Sequence, residues 1–319
     1  MPVAESGSRT DQKIIESLHI DARASWQKIA TALGLHERSV ARRAQALLAS
    51  GALRIRAITI PARGAIVLGN CGLGQARMAS KALCARPETM WAHITTGTYD
   101  LIADVAISPE QEVDFYLDEI PALAGLAQAQ TLPVLEYLRT ARNWRPGILS
   151  TAERSRMLVG VPAPVDLHVG PGVDLDQRDL ALLAALREDG RRTFEELGRI
   201  IGISDVTARR RVEALRASGI LQLRAVFDPG LIGKDAEYIL VCRTHPSQVA
   251  ALSAELRADD SIKYAVRIAG PWQFLIKVDL AHRNSLDEFL AAAPWAGRIT
   301  DGDTFIAIHT DKRNAVLLS

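Results

Sequence analysis

Two arginine runs are the residues of this 319-residue chain best suited to chemistry: Arg38, Arg42 and Arg43 in one, Arg209, Arg210 and Arg211 in the other. A guanidinium pairs with phosphate oxygens by charge-assisted hydrogen bonds and reads guanine through two parallel ones. Small polar residues accompany each run, His36 and Ser39 in the first, Ser204 and Thr207 in the second. Ser204 is placed to cap a helix, a slot that His36 fills less well. Asp205 would repel phosphate and reads as a first-turn helix anion. Other constellations are weaker. The stretch Gly69–Gly74 is glycine-rich but matches neither the dinucleotide fingerprint nor a P-loop, so it reads as a tight strand-to-helix turn. Asp301 and Asp303 flank Gly302 with no further ligand run nearby, and the seven histidines are scattered. No catalytic residue, metal site or cofactor is expected.

Both arginine runs occupy the same place in a repeated segment. A shift of about 168 positions superposes the stretch beginning at Asp11 on the one beginning at Asp179 without a gap, with roughly a third of the residues identical. Each copy reads as three helices. Ile14, Ile15 and Leu18 lie on one face of the first; Ser25 caps the second; Val40, Ala44 and Leu47 line the inner face of the third, which Gly51 ends. The second copy offers Leu182, Leu183 and Leu186, then Phe194, Leu197 and Ile201, then Ala208, Val212 and Leu215. Ala30 stands four residues before Gly34, as Gly198 stands before Gly202; a close helix crossing followed by a glycine turn is the plan of a helix-turn-helix. In such a unit the start of the third helix reaches base edges and later arginines reach phosphates, which makes Arg38 and Arg209 candidate base readers.

After each helical copy the pattern changes to β-α-β-β-α-β, a split-βαβ plan. The fold class is therefore α+β, two tandem helix-turn-helix domains each followed by a ferredoxin-like βαββαβ domain. The expected boundaries are 9–62 and 63–140 for the first pair, 141–173 for a linker rich in proline and glycine, then 174–230 and 231–312. A helix is expected over 109–121, opened by Pro109.

Net charge is +1, but residues 1–60 hold nine Lys/Arg against five Asp/Glu while 64–140 hold four against nine. Basic excess in the first helical copy is an electrostatic footprint for phosphate. Cys71, Cys84 and Cys242 are odd in number and widely spaced, and no apolar run reaches membrane-spanning length, so a reduced, cytoplasmic protein is expected.

The helical copies resemble the helix-turn-helix of the leucine-responsive/asparagine-synthase regulator (Lrp/AsnC) family. The resemblance rests on Asp-x-x-Ile-Ile at Asp11, Asp-x-Arg at Asp21, the run from Arg42 to Leu53, and their counterparts at Asp179, Asp189 and Arg210. The βαββαβ segments are similar to that family's sensing and assembly (RAM-type) domain, with Gly97, Thr98, Tyr99 and Asp100 matching its glycine-aromatic-aspartate turn. The resemblance implies an amino-acid-responsive transcription regulator. Its partners would be double-stranded DNA, a small effector, and further copies of the chain through the βαββαβ domains, with no membrane involved. It places effector binding at Gly97–Asp100 and at Gly270, Trp272 and Gln273 in the second copy, where glutamine stands in place of the aspartate. Trp91 and Tyr264 read equally well as pocket lining or core. Siroheme decarboxylases resemble the same family, with His93 and His245 the nearest candidates for such chemistry here. A metabolite-binding protein without DNA binding is a third alternative.

Overall fold

The computed structural model describes residues 7–59, 63–108, 110–141, 144–161, 175–313 and 315–317. They fall into two units of interleaved sequence: 1–60 with 146–233, and 61–145 with 234–319.

The first unit holds both helical copies. α1 (Arg9–Ile20), α2 (Trp26–Leu33) and α3 (Glu37–Ala49) form one; α7 (Gln177–Glu188), α8 (Phe194–Ile201) and α9 (Asp205–Ala217) form the other. Side-chain caps fix where these helices begin. Ser8, Ser25, Asp176, Thr193 and Ser204 each accept from a backbone N–H three residues on, and Thr193 and Glu196 complete a reciprocal capping box. α3 starts at His36 without a side-chain cap. α2 and α8 end at Gly34 and Gly202, with φ of 67° and 70°, the left-handed turn that only glycine adopts without penalty. At Gly198 a Cβ would come within 2.6 Å of the Ile203 carbonyl, so the tight crossing into α9 needs a residue without a side chain. The first copy admits the methyl of Ala30 at the matching place.

The helical period does not continue to residue 60. Each copy ends in a strand, β1 (Leu53–Thr59) and β6 (Leu221–Phe227), and the two strands pair antiparallel from Leu53↔Phe227 to Thr59↔Leu221. Ala57 of β1 is part of the apolar core of the second copy, so the second copy does not close its core alone. The stretch 141–173 contains α6 (Thr151–Leu158), opened by a Ser150/Glu153 capping box. Residues 60–62, at the expected end of the first helical domain, 142–143 and 162–173 of the expected linker, and 174 at the expected start of the second helical domain lie outside the described residues.

The second unit is a ring of strands: β2 (Arg63–Cys71), β3 (Thr89–Thr95), β4 (Leu101–Ile107), β5 (Leu126–Arg139), β7 (Ala236–Thr244), β8 (Ile262–Ile268), β9 (Phe274–Leu280) and β10 (Ile299–Arg313), with the short β11 (Val316–Leu317) beside β10. Two long strands close it. β5 pairs with β2 up to Pro133 and with β8 from Val134. β10 pairs with β7 through Ile306 and with β3 from Ala307. Closure leaves no open edge among these eight strands. Helices cover the outer face: α4 (Ala76–Cys84) and the turn formed by α5 (Glu112–Asp114) and the π-helical Phe115–Glu119 on one half, α10 (Val249–Ala258) and α11 (Leu286–Ala292) on the other. The helix expected over 109–121 is thus one α-helical turn and one π turn, and Pro109 lies outside the described residues. Alternation sorts the side chains. Leu101, Ala103, Val105 and Ile107 of β4 pack under α4, while Ile102 joins Ile66, Leu68, Trp91, Tyr264 and Leu275 inside the ring.

Candidate nucleic-acid interface

The third helices carry the sequence-expected readers. His36, Arg38 and Arg42 on α3 are exposed, as are Ser204, Arg209 and Arg210 on α9; Ser39 and Thr207 are half-buried. Among the described residues Arg38, Arg42 and Arg210 form no ion pair. The others are engaged. Arg43 pairs with Asp11 at 3.1 Å, and Arg211 with Asp179 at 2.8 Å and Asp176 at 2.9 Å. These two arginines tie the third helix to the start of the first in each copy, which leaves Arg42 and Arg210 as the later arginines of the two runs outside ion pairs. The Arg209 guanidinium lies 4.8 Å from the centre of the Phe194 ring, drawn back along α8. The Ser204 hydroxyl caps α9 and is 2.8 Å from that of Thr207.

The residues that place the two readers with respect to each other were not singled out from sequence. Arg23 donates to the carbonyls of Gly190 (2.9 Å) and Arg192 (2.8 Å) and stacks on Phe194 at 4.6 Å. Arg191 returns the contact, donating to the carbonyls of Ala22 (2.8 Å) and Ala24 (3.2 Å) and stacking on Trp26 at 4.2 Å. Arg23 and Arg191 are the arginines of the two Asp-x-Arg motifs, and Trp26 and Phe194 are also repeat mates, so the contact is self-complementary as at a two-fold dimer interface. Burial, then the neighbouring Arg191 and Arg216, lowers Arg23 to about 10, which leaves it charged at neutral pH. The repetition of Asp-x-Arg was the signal available in the sequence.

The copies differ in their surroundings. α6 packs on the first. The Glu16 carboxylate accepts from the backbone N–H groups of Ile148 (2.7 Å) and Leu149 (2.8 Å), Lys13 pairs with Glu153 at 2.6 Å, and Arg156 donates to the Ala32 carbonyl at 3.0 Å. Ala32 is 1% exposed there, while its repeat mate Ile200 is 49% exposed.

The glycine turns also repeat. Gly97 and Gly270 have φ of 114° and 139°, and a Cβ on Gly270 would meet Leu132 at 2.6 Å. Asp100 accepts from the Cys71 backbone N–H at 2.8 Å, and Gln273 accepts from the Thr244 backbone N–H at 2.8 Å. The glutamine therefore reproduces the turn-to-strand hydrogen bond of the aspartate without its charge. Thr98 accepts at its carbonyl from Asn70 (2.7 Å), Tyr99 is buried beside Phe305, and Arg243 lies over the Trp272 ring at 4.8 Å. Trp91 and Tyr264 belong to the ring interior rather than to the turns. Gly302, between Asp301 and Asp303, sits on β10 against the Val241 carbonyl, and no group of three or more metal-ligating side chains occurs among the described residues.

Inside the ring lies a second feature not read from sequence, a buried polar cluster. Lys277 meets His93 Nε2 and lies 3.8 Å from the centre of the Trp91 ring; His93 Nδ1 is 2.7 Å from the Thr310 hydroxyl. Lys263 pairs with Asp279 and Glu237, Arg313 with Glu237, and Tyr264 donates to Asp104 at 2.9 Å. Burial pushes Asp104 up to about 7 against the pull of Tyr264 and Lys277, and burial brings Lys277 down to about 7. Burial and then Lys277 keep His93 well below its ordinary value, hence neutral. His245 is elsewhere, exposed and capping a short turn through Ser247.

Comparison with known proteins bears on this geometry. Residues 8–48 and 175–216 match the AsnC-type helix-turn-helix domain. The HTH-type transcriptional regulator Ptr1 of Methanocaldococcus jannaschii is 33% identical over 118 residues, 37% of this chain and 80% of that protein. The proline dehydrogenase transcriptional activator of Rhizobium radiobacter is 28% identical over 152 residues, 45% of this chain and 95% of that protein. Among solved structures, the siroheme decarboxylase NirDL shares the fold over 97% of this chain and 94% of its own, with a TM-score of 0.60 and 11% identity. No helix among the described residues is long and apolar enough to cross a membrane. With two matched helix-turn-helix segments, each presenting arginines on its third helix, and a regulator relative of this identity, the chain belongs to the Lrp/AsnC family of transcriptional regulators.

Proposed function

We propose that the chain is a sequence-specific regulator that binds double-stranded DNA through α3 and α9 together. One observation carries the reading: two AsnC-type helix-turn-helix segments joined by the reciprocal Arg23/Arg191 contact, with Arg38 and Arg42 on one third helix and Arg210 on the other left for the duplex. In this assignment His36, Arg38, Ser39, Ser204 and Thr207 line the groove-facing ends, Arg42 and Arg210 reach phosphates, Arg43 and Arg211 hold the helices in place, and Arg209 is held back on Phe194. Covalent joining makes the second contact intramolecular and lets the two readers diverge. The test is a gel shift on the chain's own upstream region. Affinity is expected to fall steeply between 50 and 200 mM salt, and R42A and R210A to weaken all duplexes alike. Failure to bind any genomic fragment at low salt would refute the assignment.

The effector assignment is an amino acid or related metabolite at the Gly97–Asp100 turn, where Asp100 supplies the carboxylate that an ammonium group needs. The Gly270–Gln273 turn lacks it, so the first site is the sensing one. A thermal-shift screen over amino acids reads this directly, because a ligand of the native state raises stability by mass action. Association of chains through the ring unit, in the cytoplasm, completes the proposal. The chain is proposed not to be an enzyme. His93 is fully buried and bonded to Lys277 and Thr310, whereas His245 is at the surface, and the likeness to NirDL is one of fold. Release of carbon dioxide from siroheme incubated with the chain would overturn this.

A further inference from the structure

Superposing the copies places Val206 where α3 has Arg38. Each is the second residue of its reader helix, one position after Glu37 or Asp205. Val206 is 71% exposed. A β-branched apolar residue adds little to helix stability at a surface site, and here it replaces the side chain best suited to guanine. The nearest arginine on that helix, Arg209, is stacked on Phe194 and drawn away. Beyond the first-turn acid that both helices carry, Glu37 or Asp205, the tip of the second reader is therefore apolar and hydroxylated, formed by Val206 with the Ser204 and Thr207 pair at 2.8 Å. The first-reader tip instead carries the Arg38 guanidinium beside His36.

In the major groove the one apolar feature that distinguishes a base pair is the thymine C5-methyl group, whereas an arginine pairs with guanine O6 and N7. Residues at the start of a recognition helix are those that contact base edges. Resting on the DNA-binding assignment above, we propose that Val206 is a specificity-determining residue that packs on a thymine methyl. The operator is then asymmetric, with guanine opposite Arg38 and thymine at the equivalent place opposite Val206. The occupant of this exposed apolar side chain is thus the duplex itself, because the segment that bears it, 175–216, matches a DNA-reading domain.

The experiment has two arms and uses the full chain. Selection from random duplexes defines the bound sequence for wild type, V206R and R38V. Deoxyuridine then replaces each thymine of the selected site in turn, removing only the methyl. One thymine is expected to be sensitive, with affinity falling about fourfold on loss of its methyl, and V206A is expected to abolish that sensitivity. V206R is expected to shift the selected base to guanine by at least about fivefold, and R38V to relax guanine in the other half-site. Retained low-salt binding through Arg42 and Arg210 reports that each variant is folded. Sequence-specific binding with no methyl-sensitive thymine, or an unchanged selected site for V206R, overturns the inference and leaves the DNA-binding assignment standing. Absence of any duplex binding by wild type overturns both.

Discussion

The two helix-turn-helix copies share a core and differ at nearly every surface that meets something else. The first is braced by α6 through Glu16 and Glu153, begins its reader helix without a side-chain cap, and presents Arg38. The second has Ala184 where the first has Glu16, starts its reader at a capped Ser204, and presents Val206. What they keep in common is inward: the ion pairs Arg43–Asp11 and Arg211–Asp179, the Gly34 and Gly202 turns, and the reciprocal arginines. Duplication within one chain has held fixed what joins the copies and released what faces solvent. A homodimer cannot do this, since any change appears in both halves.

The sharpest way to break the comparison is at the shared contact. R23A and R191A each remove two charge-assisted hydrogen bonds and a cation–π contact, and each is expected to destabilise the reader unit by about 3 kcal/mol, read by urea unfolding. Equal losses would mark the clamp as symmetric; a loss from one alone would show that α6 or another contact carries the joint. The ring unit provides a contrast in pH. The folded carboxyl of Asp104 is raised to about 7 from 3.8, so its contribution to stability falls as pH rises from about 4 through 7. D104N, which still accepts from Tyr264, is expected to gain on wild type over that interval by on the order of 4 kcal/mol, while R23A keeps a constant offset. Next comes the brace. E16A leaves the N–H groups of Ile148 and Leu149 without their acceptor and is expected to cost about 2 kcal/mol; A184E, at an exposed position, should not stabilise the second copy. Smallest are the caps. S204A is expected to cost about 1 kcal/mol and H36S to gain a similar amount or less, so the pair tests whether α3 is the weaker-capped reader.

Much of this was legible in the residues. Repetition at a fixed shift located both readers, and the Ala30/Gly34 and Gly198/Gly202 spacings located their turns. Other features needed the third dimension. Arg43 and Arg211 lie on the outward side of α3 and α9 by helical period, yet their partners Asp11 and Asp179 come from another helix. The Asp-x-Arg motifs announced a repeated arginine but not that each reaches the other copy. β1 and β6 followed an apolar helical pattern so directly that they read as its continuation, and only their mutual pairing makes them strands. Lys277 and Asp279 alternate with Phe274, Ile276 and Val278, which by period alone sets them on a solvent face. The ring turns that face inward, because β5 and β10 each extend across both halves and close it.

The central claim is that two joined but unequal readers bind one asymmetric site. Hydroxyl-radical footprinting on the selected duplex tests it most directly. Two protected half-sites of different sequence are expected, with centres about one helical turn apart or a multiple of it, one altered by R38V and the other by V206R. A palindromic selected site with both halves altered alike, or protection of a single half-site, would contradict the account.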